Sequence, residues 1–167
     1  MRLLASFLAL VLASCAGYSL NGAKPKSLEN VRSIAVPMFK NDTLQPRAEA
    51  LATSAAVDAL VSDGTYRIGT RENADAVLEG TVSEIEYTQI RSTPLDTLRP
   101  LEIQNRVAIL WILRDTKPPF DILASGTSSG TSRLFVDSNL QTARTNSLPD
   151  ALERASITMV SRLANGY

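Results

Sequence analysis

The chain contains one cysteine, Cys15, and it stands at the end of an apolar run, not inside a domain. The folded part has no second thiol with which to form an intramolecular disulfide, whatever its redox compartment. Its stability has to come from burying apolar surface. With the first fourteen residues set aside, about 150 remain, which suits one substantial core better than two small ones. A single domain over residues 31–167 is expected.

Met1-Arg2 supplies a short positive start, Leu3 to Val11 is apolar except for Ser6, and Leu12-Ala13-Ser14-Cys15 follows directly. That order reads as a secretory signal peptide over 1–14. The run is shorter than the roughly 20 apolar residues a helix needs to cross a bilayer. Leu12 followed by the small Ala13 and Ser14 resembles the lipobox of bacterial lipoproteins, where the cysteine thiol takes a diacylglyceryl group before cleavage. Lipidation at Cys15 is therefore expected, the alternative being an ordinary signal cut nearby that leaves a stray thiol. Each buried methylene of an acyl chain contributes ~0.8 kcal/mol, so two or three chains anchor a domain durably. Ala16 follows the cysteine where an aspartate would mark retention, so the resemblance to sorted lipoproteins implies the outer membrane. Residues 15–30, with Gly, Asn, Ser and Lys24-Pro25-Lys26, read as a lipidated tether.

Charge and histidine content narrow the function. Lysine plus arginine and aspartate plus glutamate stand at 17 each, so no cationic excess exists to neutralise a nucleic-acid backbone. Histidine is absent, which removes the usual general base near neutral pH and the commonest metal ligand. A Ser-His-Asp relay is impossible, and no Ser-Lys or paired-carboxylate motif is recognisable. Asp58, Asp63, Glu84 and Glu86 lack EF-hand spacing and read as solvated charges. The expectation is a non-enzyme without cofactor, metal site or catalytic residues.

Val31 to Phe39 reads as a strand, with Pro37 marking an edge or an end. Ala48, Leu51, Ala52, Ala55, Ala59 and Leu60 recur at helical spacing, so a helix is expected from about Asp42–Pro46 to Ser62, stopped by Asp63-Gly64. Tyr66 to Gly69 is a short extended piece, and Ala74 to Ile90 a longer one in which Gly80 suggests a bulge. Ser92 to Leu101, with Pro94 and Pro100, reads as a long loop. Ile103 to Asp115 is a strand whose two faces are Val107, Ile109, Trp111, Leu113 and Ala108, Leu110, Ile112. Ile122 to Val136 is another strand, broken by Gly126 and Gly130. A last helix, capped by Ser147 with Pro149 in its first turn, carries Leu148, Leu152, Ala155, Met159 and Leu163. The order β-α-β-β-β-α predicts an α+β fold: a two-layer α/β sandwich of about four mixed strands with both helices on one face.

Val31 to Thr43, the alanine-rich helix, Asp63-Gly64-Thr65-Tyr66-Arg67 and Ala74 to Val82 together resemble the lipopolysaccharide-assembly lipoprotein family, LptE, in its divergent non-enteric members. Cys15 to Leu20 is similar to that family's mature start, and Leu113-Arg114-Asp115 to its third strand. Residues 120–145 fit least well. The resemblance implies an outer-membrane lipoprotein, facing the periplasm and a barrel lumen. It would plug the large β-barrel LptD, assist that barrel's assembly and help pass lipopolysaccharide to the outer leaflet.

Two surfaces are singled out on that basis. Ala108, Leu110 and Ile112 would make the helix-free sheet face apolar enough to contact the barrel, unless loops or termini cover it. Arg91, Arg99 and Arg106 flank the expected long loop and are candidate contacts for lipopolysaccharide phosphates, a solvated surface being the plainer reading. Ile34 to Phe39 with Ala74 to Gly80 also resembles curli-secretion lipoproteins and the N-terminal domain of TolB. That likeness implies a subunit of a secretion or envelope complex.

Overall fold

The computed structural model describes residues 24–93, 96–136 and 139–166. The signal peptide, Cys15 and the tether as far as residue 23 lie outside the described residues. The elements are β1 (Ser33–Ala35), β2 (Lys40–Asn41), α1 (Ala48–Asp63), β3 (Arg67–Ile68), β4 (Ala76–Thr93), β5 (Asp96–Asp115), β6 (Ile122–Phe135) and α2 (Leu140–Asn165). The α+β class is as expected, but the sheet has six strands where about four were expected. Its order is β3-β1-β4-β5-β6, and β2 pairs with β4 beyond β1. The short strands pair in parallel and the three long ones antiparallel.

The two extra strands have local causes. Pro37 carries no N–H for a ladder, so the single strand expected over 31–39 ends at Ala35 and pairing resumes at Lys40. Arg67–Ile68, expected only as an extended piece, docks on Ser33 and Ile34.

Both helices supply one core. Ala48, Ala52, Ala56 and Leu60 of α1 are buried, and Gly64 (φ 74°) closes the helix in the left-handed conformation glycine tolerates. Helix α2 starts earlier than expected. Asn139, not Ser147, caps it, its side-chain oxygen accepting from the Gln141 and Thr142 amides, and Pro149 lies inside. Proline costs the Thr145 carbonyl its helical donor. Burial of Ala143, Ser147 and Leu148 offsets that loss, as does the Ser132 hydroxyl donating to the Ser147 carbonyl at 2.7 Å. Leu78, Val82, Ile109 and Leu113 of the sheet meet Leu152, Met159 and Leu163 of α2 in the core.

The loop expected over 92–101 is largely strand. β4 runs to Thr93 and β5 begins at Asp96, with register shifts between Gln89 and Thr93 accommodating Pro100 opposite Ser92. Gly80 is not the bulge, which lies between Val82 and Glu84; the Phe39 ring covers Gly80 so closely that a Cβ would collide with it. β6 is continuous through both its glycines. Residues 24–30, expected as tether, already pack here: Lys26–Leu28 form a 3-10 turn, Leu28 is fully buried, and the Lys24 ammonium donates to the Val31 carbonyl at 2.9 Å.

Candidate interaction surface

Because both described helices pack on one face of the sheet, β4, β5 and β6 present their other face uncovered by any helix. Strand alternation assigns the side chains. Val107, Ile109, Trp111 and Leu113 point inward and are buried, and Trp111 Nε1 donates to Ser128 Oγ at 3.0 Å. Ala108, Leu110 and Ile112 point outward, as the sequence implied. Leu110 is 47% exposed, Ile112 is half-buried, and Ala108 is only 7% exposed. The Ala108 methyl is short and stands between Glu84 and Ser129 of the neighbouring strands, so longer side chains shade it.

The apolar strip is longer than the sequence suggested. Ile122 stands opposite Arg114 in register, on the Ile112 face, and with Phe120 it is more than half exposed. Phe120 ends the Lys117-Pro118-Pro119 turn at φ 64° and helps line a hollow of about 350 Å3 with Val77, Arg71 and Arg114. Parity along β6 would have put Ile122 on the core side with Ala124 and Gly126; the register shift between Leu113 and Arg114 turns it outward. Phe120 carries no comparable periodic signal, because turn geometry sets its direction.

The arginines divide. Arg106 is exposed on the open face opposite Glu86 and Thr131. Arg91 is exposed on the same face, its Nε 3.7 Å from a Glu102 carboxylate oxygen. Arg99 falls within β5, but its side chain lies outside the described residues. Arg133, which the sequence reading missed, joins the face opposite Gln104. Leu110, Ile112, Ile122 and Phe120 thus cluster toward one end of the open face beside the Arg114–Glu79 ion pair, and arginines interleaved with Glu84, Glu86 and Glu102 occupy the other, where Phe135 opposite Glu102 is also exposed.

Two polar features lie on the core side. Neither amide atom of the fully buried Asn105 has a hydrogen-bond partner among the described residues. Beside it in register, Tyr87 directs its hydroxyl toward the Arg144 carbonyl at 3.4 Å and lies 5.1 Å beneath that guanidinium. Burial raises the Tyr87 pKa, opposed in part by Arg144. Among the described residues no cluster of three metal-ligating side chains occurs, and no described helix is long and apolar enough to cross a membrane.

Comparison with known families decides the relationship. The family described as lipopolysaccharide-assembly, LptE, matches residues 31–165, from just ahead of β1 to the end of α2. The chain belongs to the LptE family. No curated protein matches it. A Xanthomonas campestris protein of family DUF330 shares 12% identity, the alignment covering 86% of this chain and 91% of that one, with a TM-score of 0.58. A lipoprotein described as putative, from Caulobacter crescentus, shares 14% identity over 77% of this chain and 89% of its own, with a TM-score of 0.51. PelC from Paraburkholderia phytofirmans, solved as a dodecamer, shares 25% identity over 80% of this chain and 93% of its own, with a TM-score of 0.46. The first two bear on the fold alone: the sandwich seen here recurs at low identity.

Proposed function

We propose that this LptE-family chain is a non-enzymatic, outer-membrane lipoprotein of lipopolysaccharide transport. Its acylated Cys15 would tether the sandwich at the inner leaflet, where it seats in, and helps assemble, an LptD-like β-barrel. One observation carries the barrel reading: the sheet keeps an apolar strip, Leu110, Ile112, Ile122 and Phe120, on the face its own helices leave uncovered. Exposed apolar strips of this kind mark contact surfaces. Arg91 and Arg106, at the far end of that face, would meet lipopolysaccharide phosphates together with Arg99, because guanidinium groups pair bidentately with phosphate oxygens.

Leu110→Asp combined with Ile112→Asp tests the barrel contact, because both changes sit on the outer face. The variant is expected to fold and to stop co-purifying with its barrel, whereas undiminished co-purification refutes the contact. Depletion in the native bacterium should lower surface lipopolysaccharide and mature barrel together, and normal levels of both refute the transport role. Cys15→Ala should abolish acyl labelling and release the chain from outer-membrane fractions.

A further inference from the structure

Helix α1 carries apolar side chains beyond its buried stripe. Ala48, Ala52, Ala56 and Leu60 fill its core face, Leu51 and Ala55 are half-buried on the flank toward α2 and touch the same core, and Val57 and Val61 lie on the other flank, Val61 being 64% exposed. The Leu51 and Ala55 flank of α1 opens into a groove of about 740 Å3 against α2. Its walls are ridges at four-residue spacing: Leu51, Ala55 and Ala59 on α1, and Pro149, Glu153 and Ile157 on α2. At 1.5 Å per residue the α1 wall from Leu51 to Asp63 is about 18 Å long, room for roughly three helical turns. Alanines in the floor let another backbone approach closely.

The charge of this groove has one sign. Asp58, Asp63 and Glu153 line it and no lysine or arginine does. Helix α1 itself carries Glu49, Asp58 and Asp63 against no basic residue. We infer that the α1–α2 groove docks a cationic amphipathic helix of a partner protein. Its apolar stripe would lie on Ala55, Ala59 and Ile157, and its lysines or arginines would face Asp58, Asp63 and Glu153. Phosphate-bearing lipid is disfavoured by the same three carboxylates. This groove lies on the helical layer, opposite the sheet face proposed for the barrel, and stands independently of that proposal.

A synthetic amphipathic leucine–lysine helix of about twelve residues is the probe, with its leucine–glutamate counterpart as control. Titrated into the full mature chain, the lysine peptide should bind and the glutamate peptide should not. Asp58→Asn with Glu153→Gln should weaken binding by about tenfold, since two facing charge pairs are lost. Glu84→Gln with Glu86→Gln on the opposite face should leave it unchanged, and all variants should keep the wild-type melting temperature. Equal binding of both peptides, no binding of either, or indifference to the Asp58/Glu153 change overturns the inference. In cells, a photo-cross-linker at Ile157 should yield an adduct whose mapped peptide is a lysine- or arginine-bearing helix of another protein. An adduct to lipid, to a second copy or to this chain's own N-terminal segment, or no adduct at all, overturns it equally.

Discussion

Ser33 and Asp75, at the start of β1 and just ahead of β4, clamp each other in both directions. One Asp75 carboxylate oxygen accepts the Ser33 amide at 3.0 Å and the Ser33 hydroxyl at 2.9 Å, while the Asp75 amide reaches back to the Ser33 carbonyl at 3.1 Å. The same oxygen also accepts the Arg32 amide at 3.0 Å. These donors, the Arg32 amide foremost and then the Ser33 hydroxyl, hold the Asp75 carboxyl below its usual range. A lowered carboxyl stabilises the folded state fully above its unfolded pKa of about 4, and loses that contribution as pH falls through the folded value. Asp75→Asn should therefore flatten the acid limb of the stability curve. Asp75→Ala should cost about 1–2 kcal/mol at neutral pH, measured by urea melts across the acid range.

Just ahead of the strand that pairs with Ser33, Tyr66 donates its hydroxyl to the Leu163 carbonyl at 2.7 Å, tying the approach to β3 to the last turn of α2. Burial first, and Asp63 second, pushes its pKa up to about 12. A raised phenol stabilises the fold fully below pH 10 and loses that contribution as pH rises toward 12. Tyr66→Phe should cost about 1 kcal/mol at neutral pH and remove one late-titrating phenolate from an ultraviolet titration.

Periodicity reaches those features of the chain that local spacing controls. The α1 stripe and its Gly64 stop follow from spacing alone, and so does the alternation that separates Val107 from Ala108. It fails where tertiary contacts overrule local preference. Pro149 looks like a first-turn residue until Asn139 caps the chain ten residues earlier and the sheet holds the intervening turns. Pro94 and Pro100 suggest a loop until β4 and β5 extend past the core. Of the proposed contact residues, Leu110 and Ile112 were legible because β5 is regular. Phe120 was not, because its position depends on a turn.

Gly130 illustrates a constraint invisible to periodicity. The backbone of α2 at Ala151 and Ala155 approaches β6 so closely there that a Cβ on Gly130 would overlap it. A backbone neighbour cannot rotate away as a side chain can. Gly130→Ala should push α2 off the sheet at a cost of about 3 kcal/mol, read as a lower denaturant midpoint. Gly64→Ala, with open space around its Cβ and only its φ to strain, should cost about 1 kcal/mol.

Asn105 makes a prediction of the opposite sign. Its amide is fully buried with neither polar atom bonded among the described residues, and an unmade hydrogen bond of this kind costs about 1–3 kcal/mol. Leucine has nearly the same volume and no polar atom. Asn105→Leu should raise the melting temperature. A fall would show that the amide is satisfied in solution and is part of a polar link with Tyr87 and Arg144.

Neighbouring residues of β5 separate the two faces of the sheet most directly. Val107 is fully buried against the helices and Leu110 is half exposed on the open face. A carboxylate at 107 would have to be desolvated or protonated inside the core, so Val107→Asp should lose more than about 3 kcal/mol and unfold the chain in mild denaturant. Leu110→Asp leaves its carboxylate in water and should shift stability by about 1 kcal/mol or less. The two variants therefore dissociate folding from contact. If the open face is the barrel surface, Leu110→Asp gives a soluble, cooperatively folding domain that fails only in co-purification. Equal destabilisation of the two would mean that the open face is covered from within the chain, and the barrel contact would have to lie elsewhere.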